Sequence, residues 1–428
     1  MRWSVSVGER IADAVIASFS ETAEQASERL SAFSQREWER AYPWLIASGM
    51  TLYFLDRLQT LNIENALPAP TIAKFRQNLA DNRRRHDSMM EEFIAINHSF
   101  MQAGVTYANA KGFTLSPGYC PDPVLRNQLD FDFLVHEKDL ETCRSILTSM
   151  DYVQSVETAS AWEFKSRSSD MVRTEDHYKP GPQKRVELHF ARSKSPRRAL
   201  CDAQLSMTTL RAWHGHSFPV FAPEDQFIAQ ALHILSHLRS PCTRLSWLLE
   251  YSRFVSSHEH DWALWESVHK RSQATWEAYI AIGLATLLSR QLFGGRVPAQ
   301  LNEWTLDRLP GNVKLWAQCY GRTACLSKFP GTKLYLLLDA ELARGDTGWS
   351  TKRRRRLVPL QRAPQIACPE PNESLRKRAR RIFFQARFTL FRLRFHLVED
   401  LRYLIELQRW KRLLAAQYSV LSAAKRQA

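Results

Sequence analysis

The chain has 428 residues, a formal net charge of +15, 44% hydrophobic residues and 24% charged residues. This composition is ordinary for a soluble globular protein with room for two or three domains. Seven scattered cysteines without a C-x-x-C pair argue against a disulfide framework or a zinc knuckle and favour a reducing cytoplasm. Because the first residues lack a secretory signal and the longest near-apolar run, residues 42–55, is too short to span a bilayer, we expect a cytoplasmic protein.

Helices are predicted from residue 9 to about residue 100, since apolar residues recur there at helical spacing. Helix and strand then alternate, which favours a mixed sheet with helices packed on it. Helical periodicity returns after residue 223. We therefore predict an α+β fold with a small mixed-sheet core between N-terminal and C-terminal helical regions. The expected segments are an N-terminal helical region (1–100), an α/β core (101–222), a helical domain (223–350), a basic linker (351–373) and a basic amphipathic helical tail (374–428).

Within the core, short β-prone stretches bounded by turn formers predict several strands and a helix. The strands are expected at residues 105–110, 129–135, 152–156, 162–166 and 185–190, and the helix at about 138–150.

The stretch LDFDFLV at residues 129–135 places two carboxylates two residues apart in an apolar, β-prone run. In a strand such side chains project to the same side, so Asp130 and Asp132 lie side by side while Phe131 and Phe133 face the other way. Two neighbouring carboxylates on a buried strand are costly unless a cation neutralises them. Because Mg²⁺ prefers oxygen ligands, the stretch is a candidate metal site.

A third acid, Glu187, lies on the predicted strand at residues 185–190. Metal-dependent phosphoryl chemistry commonly holds two ions between protein carboxylates and substrate phosphates. Lys111 could neutralise phosphate charge, and Gly112 could let a phosphate approach the backbone. Arg126, four residues before Asp130, is placed to reach the same rim. These three residues are candidate phosphate-binding residues.

Each of these patterns also has an ordinary explanation. The two aspartates could be solvated carboxylates at a strand end, and the lysine and arginine could be surface cations. Glu187 could be an exposed residue of an alternating edge strand. His189 falls on the same polar side as Glu187, and we expect it to be a hydrogen-bonded residue that has a structural role or supports a metal ligand, rather than a base.

The order Lys-Gly, a Tyr/Pro loop, Arg-x-x-x-Asp-x-Asp-x-Leu-Val, a helix and a strand with Glu-Leu-His-aromatic resembles a known family. It is a family of bacterial, largely uncharacterised nucleotidyltransferase-like proteins in the DNA polymerase beta-type nucleotidyltransferase superfamily. The likeness covers roughly residues 40–300, which leaves the basic tail outside it.

This resemblance implies that Asp130, Asp132 and Glu187 form the catalytic and metal-binding site for Mg²⁺ or Mn²⁺. It implies a nucleoside triphosphate as substrate and transfer of a nucleoside monophosphate to an unknown acceptor hydroxyl, with release of pyrophosphate. The superfamily usually has Gly-Ser in its phosphate-binding turn, whereas this chain has Gly112-Phe113-Thr114. The resemblance therefore implies Thr114 as a fourth candidate phosphate-binding residue, whose hydroxyl would replace that of the serine. That departure motivates a second hypothesis, a catalytically inactive accessory protein of a surface-polysaccharide or toxin–antitoxin-like system.

The tail carries the charge. Twenty of the 59 Lys and Arg residues but only five of the 44 Asp and Glu residues lie in residues 351–428, so this segment accounts for the whole net charge. Residues 352–421 could contact an anionic membrane surface, which would place the protein peripherally at the inner membrane face, or a protein partner. Nucleic acid is a further candidate for residues 352–356. For the leucine and phenylalanine stripes of the tail, packing on the helical domain is the favoured interpretation.

Overall fold

The computed structural model describes residues 7–166, 176–181, 184–195, 198–213, 215–273, 275–343, 346–358 and 374–427, with side chains as far as residue 419. Most of the predicted linker, residues 359–373, lies outside the described residues. Its first part is helical, since Lys352 belongs to the helix Trp349–Leu357. The chain divides into two compact units. Unit 1 comprises residues 1–235 and 244–309, and unit 2 comprises residues 236–243 and 310–428.

The helices before the sheet are α1 (Val7–Ala17), α2 (Ala23–Ser31), α3 (Gln35–Ala47), α4 (Thr51–Thr60) and α5 (Ala69–Gln102). Two of them begin with a capping box, which Thr22 forms for α2 and Ser34 forms with Glu37 for α3. The near-apolar run at residues 42–55 is divided between α3 and α4, because Gly49 turns the chain with a positive φ of 74°.

A seven-stranded mixed sheet forms the centre of unit 1, in the order β3-β4-β5-β2-β1-β7-β6. The strands are β1 (Tyr107–Asn109), β2 (Asp130–Val135), β3 (Tyr152–Glu157), β4 (Ala161–Ser166), β5 (Arg185–His189), β6 (Thr209–Trp213) and β7 (His216–Val220). The pairs β2–β5 and β1–β7 are parallel and the other pairs are antiparallel. The predicted α+β class with a mixed-sheet core between helical regions is confirmed. The last two strands are additional to those predicted.

One face of the sheet is covered by α5 and by α6 (Leu140–Ser149), whose apolar side chains form the largest described core of this region. Phe93 of α5 lies at its centre and contacts the ring of Phe133. The alternation of β2 and β5 sends Phe131, Phe133, Val186 and Leu188 into this core. The polar residues of the same strands therefore project from the opposite face.

Further helices follow the sheet: α7 (Arg198–Ser206) precedes β6, and α8 (Pro223–Leu238), α9 (Leu245–Ser257), α10 (Trp262–Ser272), α11 (Trp276–Phe293) and α12 (Ala299–Leu301) come after β7. A buried hydrogen bond from the Tyr53 hydroxyl to Glu250 Oε1 joins α4 to α9 across 2.8 Å. Unit 2 contains α13 (Gly311–Trp316), α14 (Arg322–Leu326), α15 (Tyr335–Leu342), α16 (Trp349–Leu357) and α17 (Leu375–Gln427). No helix in the described part of the chain combines the length and hydropathy needed to cross a membrane.

Candidate active site

The polar face of β2 and β5 carries the predicted acids. The parallel register sets Asp132 opposite Glu187 and Leu134 opposite His189. Since side chains two apart share a face, Asp130, Asp132, Glu187 and His189 all project from the face opposite the aromatic core. The strand pairing therefore brings together residues that are separated by 57 positions in the chain.

Three of these side chains form a close group. The ligand atoms of Asp132, Glu187 and His189 all lie within 4.8 Å of one another. The ring nitrogen Nε2 of His189 is 2.9 Å from Asp132 Oδ1 and 3.4 Å from Glu187 Oε2. Two carboxylates at this separation, supplied by adjacent strands of a sheet, have the oxygen donors and spacing that a divalent cation uses.

Asp130 is adjacent to this group but not part of it. It is partly buried, and removal from bulk water together with the charge of Asp132 raises its pKa above the ordinary value. Burial and the charges of Asp132 and Asp130 likewise raise the pKa of Glu187. The three carboxylates therefore repel one another, although Asp130 does not belong to the group whose ligand atoms all lie within 4.8 Å of one another.

Lys111 supplies the positive charge of the group. Its Nζ donates a hydrogen bond to Asp132 Oδ1 over 2.8 Å, and the Asp132 side chain is only 3% exposed. Burial alone would hinder ionisation of Asp132, but Lys111 and His189 reverse that effect and hold its pKa well below the usual range. The attraction of Asp132 also outweighs burial for Lys111, whose pKa is raised. The pair is thus a charged ion pair at neutral pH.

Gly112 and Thr114 lie in the short 3₁₀ turn Gly112–Leu115 that follows β1. Gly112 has a φ of 65°, and a Cβ there would lie 2.2 Å from Gln128 Nε2. Gln128 uses that nitrogen to donate to the carbonyl of Asp130. The glycine therefore makes room for the side chain that fixes the start of β2. The Thr114 hydroxyl is engaged by the protein, with Lys111 O and Gln226 as partners.

Arg126 is tied to a helix rather than extended toward the close group. Its Nε donates to Glu250 Oε1 over 3.2 Å, and the Glu250 side chain is fully buried. The positive charge of Arg126 still acts on Asp130 and lowers its pKa, which partly offsets the effect of burial. The predicted contacts of Lys111, Gly112, Thr114 and Arg126 with phosphate remain predictions.

Arg85 is a functional candidate that the sequence reasoning missed. It is 3% exposed on α5, and its Nη1 donates to the carbonyl of His177. Its Nε and Nη2 have no hydrogen-bond partner among the described residues. Burial lowers the pKa of Arg85 to about 10, while the charge of Asp130 works in the opposite direction. The sequence signal that could have revealed this burial is helical spacing, because Arg85 lies between the buried residues Asn82 and Met89 on one face of α5.

His189 was expected to be a hydrogen-bonded residue with a structural or supporting role, and in the structure its ring nitrogen is a direct neighbour of both acids. The only sequence signal for this position was its place two residues after Glu187, on the same side of a strand.

Comparison with known sequences identifies the family. The profile of a family described as "Uncharacterised nucleotidyltransferase" matches residues 34–294, more than half of the chain. The chain belongs to this family. Every residue of the candidate site described above lies within the matched range, whereas residues 310–428 of unit 2 lie outside it.

Other comparisons add little. No curated protein matches the chain. One solved structure, described as an antigenic nucleotidyltransferase-like protein from Paracoccidioides brasiliensis, is similar at 17% identity and a TM-score of 0.28. That similarity covers 44% of this chain and 88% of the solved chain. At this level of similarity the match carries no argument about the candidate site.

Proposed function

We propose that the chain is a divalent-metal-dependent nucleotidyltransferase. It would move a nucleoside monophosphate from a nucleoside triphosphate to an acceptor hydroxyl and release pyrophosphate. One observation carries the proposal: Asp132 and Glu187 come from adjacent parallel strands and meet within ligand distance, with Asp130 beside them. Membership in a nucleotidyltransferase family supports the same reaction class.

The donor set fits a hard cation. Carboxylate oxygens are the ligands that Mg²⁺ and Mn²⁺ prefer, and both ions are candidates. Burial and mutual repulsion raise the pKa values of Asp130 and Glu187, and a bound cation would offset that repulsion. Asp130, Asp132 and Glu187 would hold the ion. We assign His189 to orienting Asp132, because imidazole nitrogen is a poor match for Mg²⁺.

The chain's own residues then have distinct tasks. A bound divalent ion would lower the pKa of the acceptor hydroxyl and offset charge on the phosphates. Glu187, the more exposed of the two close carboxylates, would orient the acceptor hydroxyl. Lys111, whose Nζ already lies at the group, would place its charge against phosphate oxygens and so favour charge that develops during transfer. Gly112 would let the backbone approach the phosphates.

A second candidate is a nucleotidyltransferase fold that binds a nucleotide, a glycan precursor or a protein without catalysing transfer. The specific observation that favours it is the engagement of two proposed phosphate contacts by the protein itself. Thr114 is hydrogen-bonded to Gln226, and Arg126 is paired with Glu250. An accessory role in polysaccharide biosynthesis or in a toxin–antitoxin-like system would need only binding.

The experiment that separates the two candidate functions measures transfer of a labelled phosphate to an acceptor. The protein is incubated with each nucleoside triphosphate labelled at the α-phosphate, with Mg²⁺ or Mn²⁺ and a cell extract that supplies acceptors. Transfer should be lost in Asp130→Asn and in Asp132→Asn. It should persist in Asp87→Asn, a matched change at a side chain that is 77% exposed on α5.

Unchanged transfer in both site variants would end the proposal. Nucleotide binding without transfer, across all acceptors tried, would favour the accessory role. The molecule that gains label would also name the acceptor class.

The proposal extends to partners. A nucleoside triphosphate and an acceptor would meet at the site in unit 1. We also propose that residues 352–421 contact a separate partner, because the positive charge of the chain is concentrated there.

A further inference from the structure

One face of α17 is fixed against the rest of unit 2. Tyr403 and Trp410 are almost fully buried, and Trp410 Nε1 donates to Glu341 Oε1 over 3.2 Å. The Thr332 hydroxyl donates to Glu399 over 2.7 Å. These contacts determine which side of the helix faces its own unit. They leave the opposite side with a defined set of residues.

That opposite side is apolar and exposed. Five leucines recur at intervals of three or four residues and form one row, which we call the leucine stripe. Their exposed fractions range from 53% to 66%, and the stripe consists of Leu390, Leu393, Leu397, Leu401 and Leu404. Ile382, Phe383, Val398 and Ile405 are each more than half exposed as well. From residue 382 to residue 405 this surface extends about 35 Å, longer than soluble monomers ordinarily leave uncovered.

The edge of the leucine stripe is positively charged. Arg387 lies three residues before Leu390, and Arg394 lies four residues after it, so both border the stripe. Neither arginine forms an ion pair with any residue that the structure describes. The only acids between residues 375 and 405 are Glu399 and Asp400. Both are already engaged, by Thr332 and Lys333.

A cavity of about 370 Å³ in unit 2 adds to this charge. Arg355, Arg356 and Arg392 line it together with the α17 rings of Phe388 and Phe391. Within the described ranges, none of the three guanidinium groups has an acidic partner. The arginines at the edge of the leucine stripe and those of the cavity therefore have no acidic partner among the described residues of unit 2.

We propose that α17 lies along the surface of an anionic phospholipid bilayer. The leucine stripe would enter the boundary between headgroups and acyl chains, and Arg387 and Arg394 would extend to lipid phosphates. The apolar part of the surface would then contact lipid chains, and the basic part would contact anionic headgroups. This inference goes beyond the proposed reaction and does not depend on it.

A second copy of the chain fits the same surface less well. Two leucine stripes packed face to face would bring Arg387 and Arg394 of each copy toward arginines of the other. No unengaged acid on this stretch of α17 is available to pair with them. An anionic surface supplies the charge that a second copy lacks.

The test is co-sedimentation of the full-length protein with vesicles of phosphatidylcholine, with and without phosphatidylglycerol. We expect the protein to pellet with the anionic vesicles, to remain in solution with neutral vesicles, and to be released by salt. Leu397→Glu with Leu401→Glu should abolish pelleting, because both side chains are exposed and the fold does not need them. The matched control is Met207→Glu with Leu210→Glu, which makes the same change of charge at exposed apolar residues of unit 1 and should still pellet.

The basic edge is tested separately by Arg387→Gln with Arg394→Gln. Each basic residue near an anionic surface strengthens partition about fivefold, so this variant should bind at least tenfold more weakly. Absence of binding to anionic vesicles, equal binding to neutral vesicles, or full binding by the double glutamate variant would each overturn the proposal. A dimer that the double glutamate variant converts to a monomer, without vesicle binding, would overturn it in favour of a second copy.

Discussion

Replacing Lys111 by methionine should destabilise the protein and make its stability depend on metal. Lys111 Nζ and Asp132 Oδ1 are 2.8 Å apart, and the two side chains are 17% and 3% exposed. At an effective dielectric constant near 20 the bare attraction is about 6 kcal/mol. Desolvation cancels part of it, and loss of one partner of a buried pair typically costs about 3–5 kcal/mol. We expect a cost near the lower end, since His189 also contacts Asp132.

The assay is thermal unfolding of the wild type and Lys111→Met, in EDTA and in Mg²⁺ or Mn²⁺. In EDTA the variant should unfold roughly 5–8 °C below the wild type, because unfolding entropy scales with the size of the cooperative unit. Metal should stabilise the variant more than the wild type, because the cation no longer competes with the ammonium group for Asp132.

The control is Lys179→Met, which removes a 2.7 Å ion pair whose lysine is 61% exposed. Such a pair contributes about 1 kcal/mol or less, so this variant should unfold close to the wild type. The reasoning would be refuted if Lys111→Met matched the wild type in EDTA, or if metal raised both proteins equally.

Three further predictions concern the same unit. Asp130→Asn and Glu187→Gln should each raise the unfolding temperature in EDTA at neutral pH while weakening metal binding. An acid whose folded pKa is raised destabilises the fold above both of its pKa values, so the gain should fade as the pH falls to about 4 in a melting series. Glu250→Gln should cost about 3–5 kcal/mol in urea unfolding, because Arg126 would keep a buried charge without its partner; a cost below 1 kcal/mol would contradict a buried ion pair. Gly112→Ala should lower the unfolding temperature, since an alanine at this positive φ costs about 1–2 kcal/mol in addition to its clash with Gln128, and an unchanged temperature would show that the turn rearranges freely.

The acids were predictable because their placement is a local property of strands. Side chains alternate between the two faces along β2 and β5, so every second residue shares a face. The parallel register of these adjacent strands then sets Asp132 opposite Glu187. The aromatic residues between the acids marked the buried face. A sequence pattern of a few residues was thus enough to place Asp132 and Glu187 on the same side of one sheet.

The partner of Arg126 was not predictable in the same way. Arg126 is paired with Glu250, 124 positions away on a helix, and no local pattern reports such a contact. The strands β6 and β7 were missed because β7 contains Pro219 and β6 is mostly exposed, which weakens the alternation that identifies a strand.

The tail shows a different limit. Its sequence has two apolar stripes on one helix, and periodicity alone cannot tell which of them packs against the protein. The interpretation favoured from the sequence was that both stripes pack on the helical domain. The structure leaves the leucine stripe exposed and packs α17 through Tyr403 and Trp410, which belong to neither stripe. The choice was made by long-range contacts with α15 and with the segment that precedes it.

The ion pair between Lys111 and Asp132 gives this protein a resident counter-ion. Because the Lys111 ammonium group already neutralises Asp132, we expect the fold to be stable where free magnesium is scarce. Under the proposed function, a metal ion would enter together with the triphosphate, and occupancy of the site would follow the supply of substrate. A chelator would then remove activity without unfolding the protein.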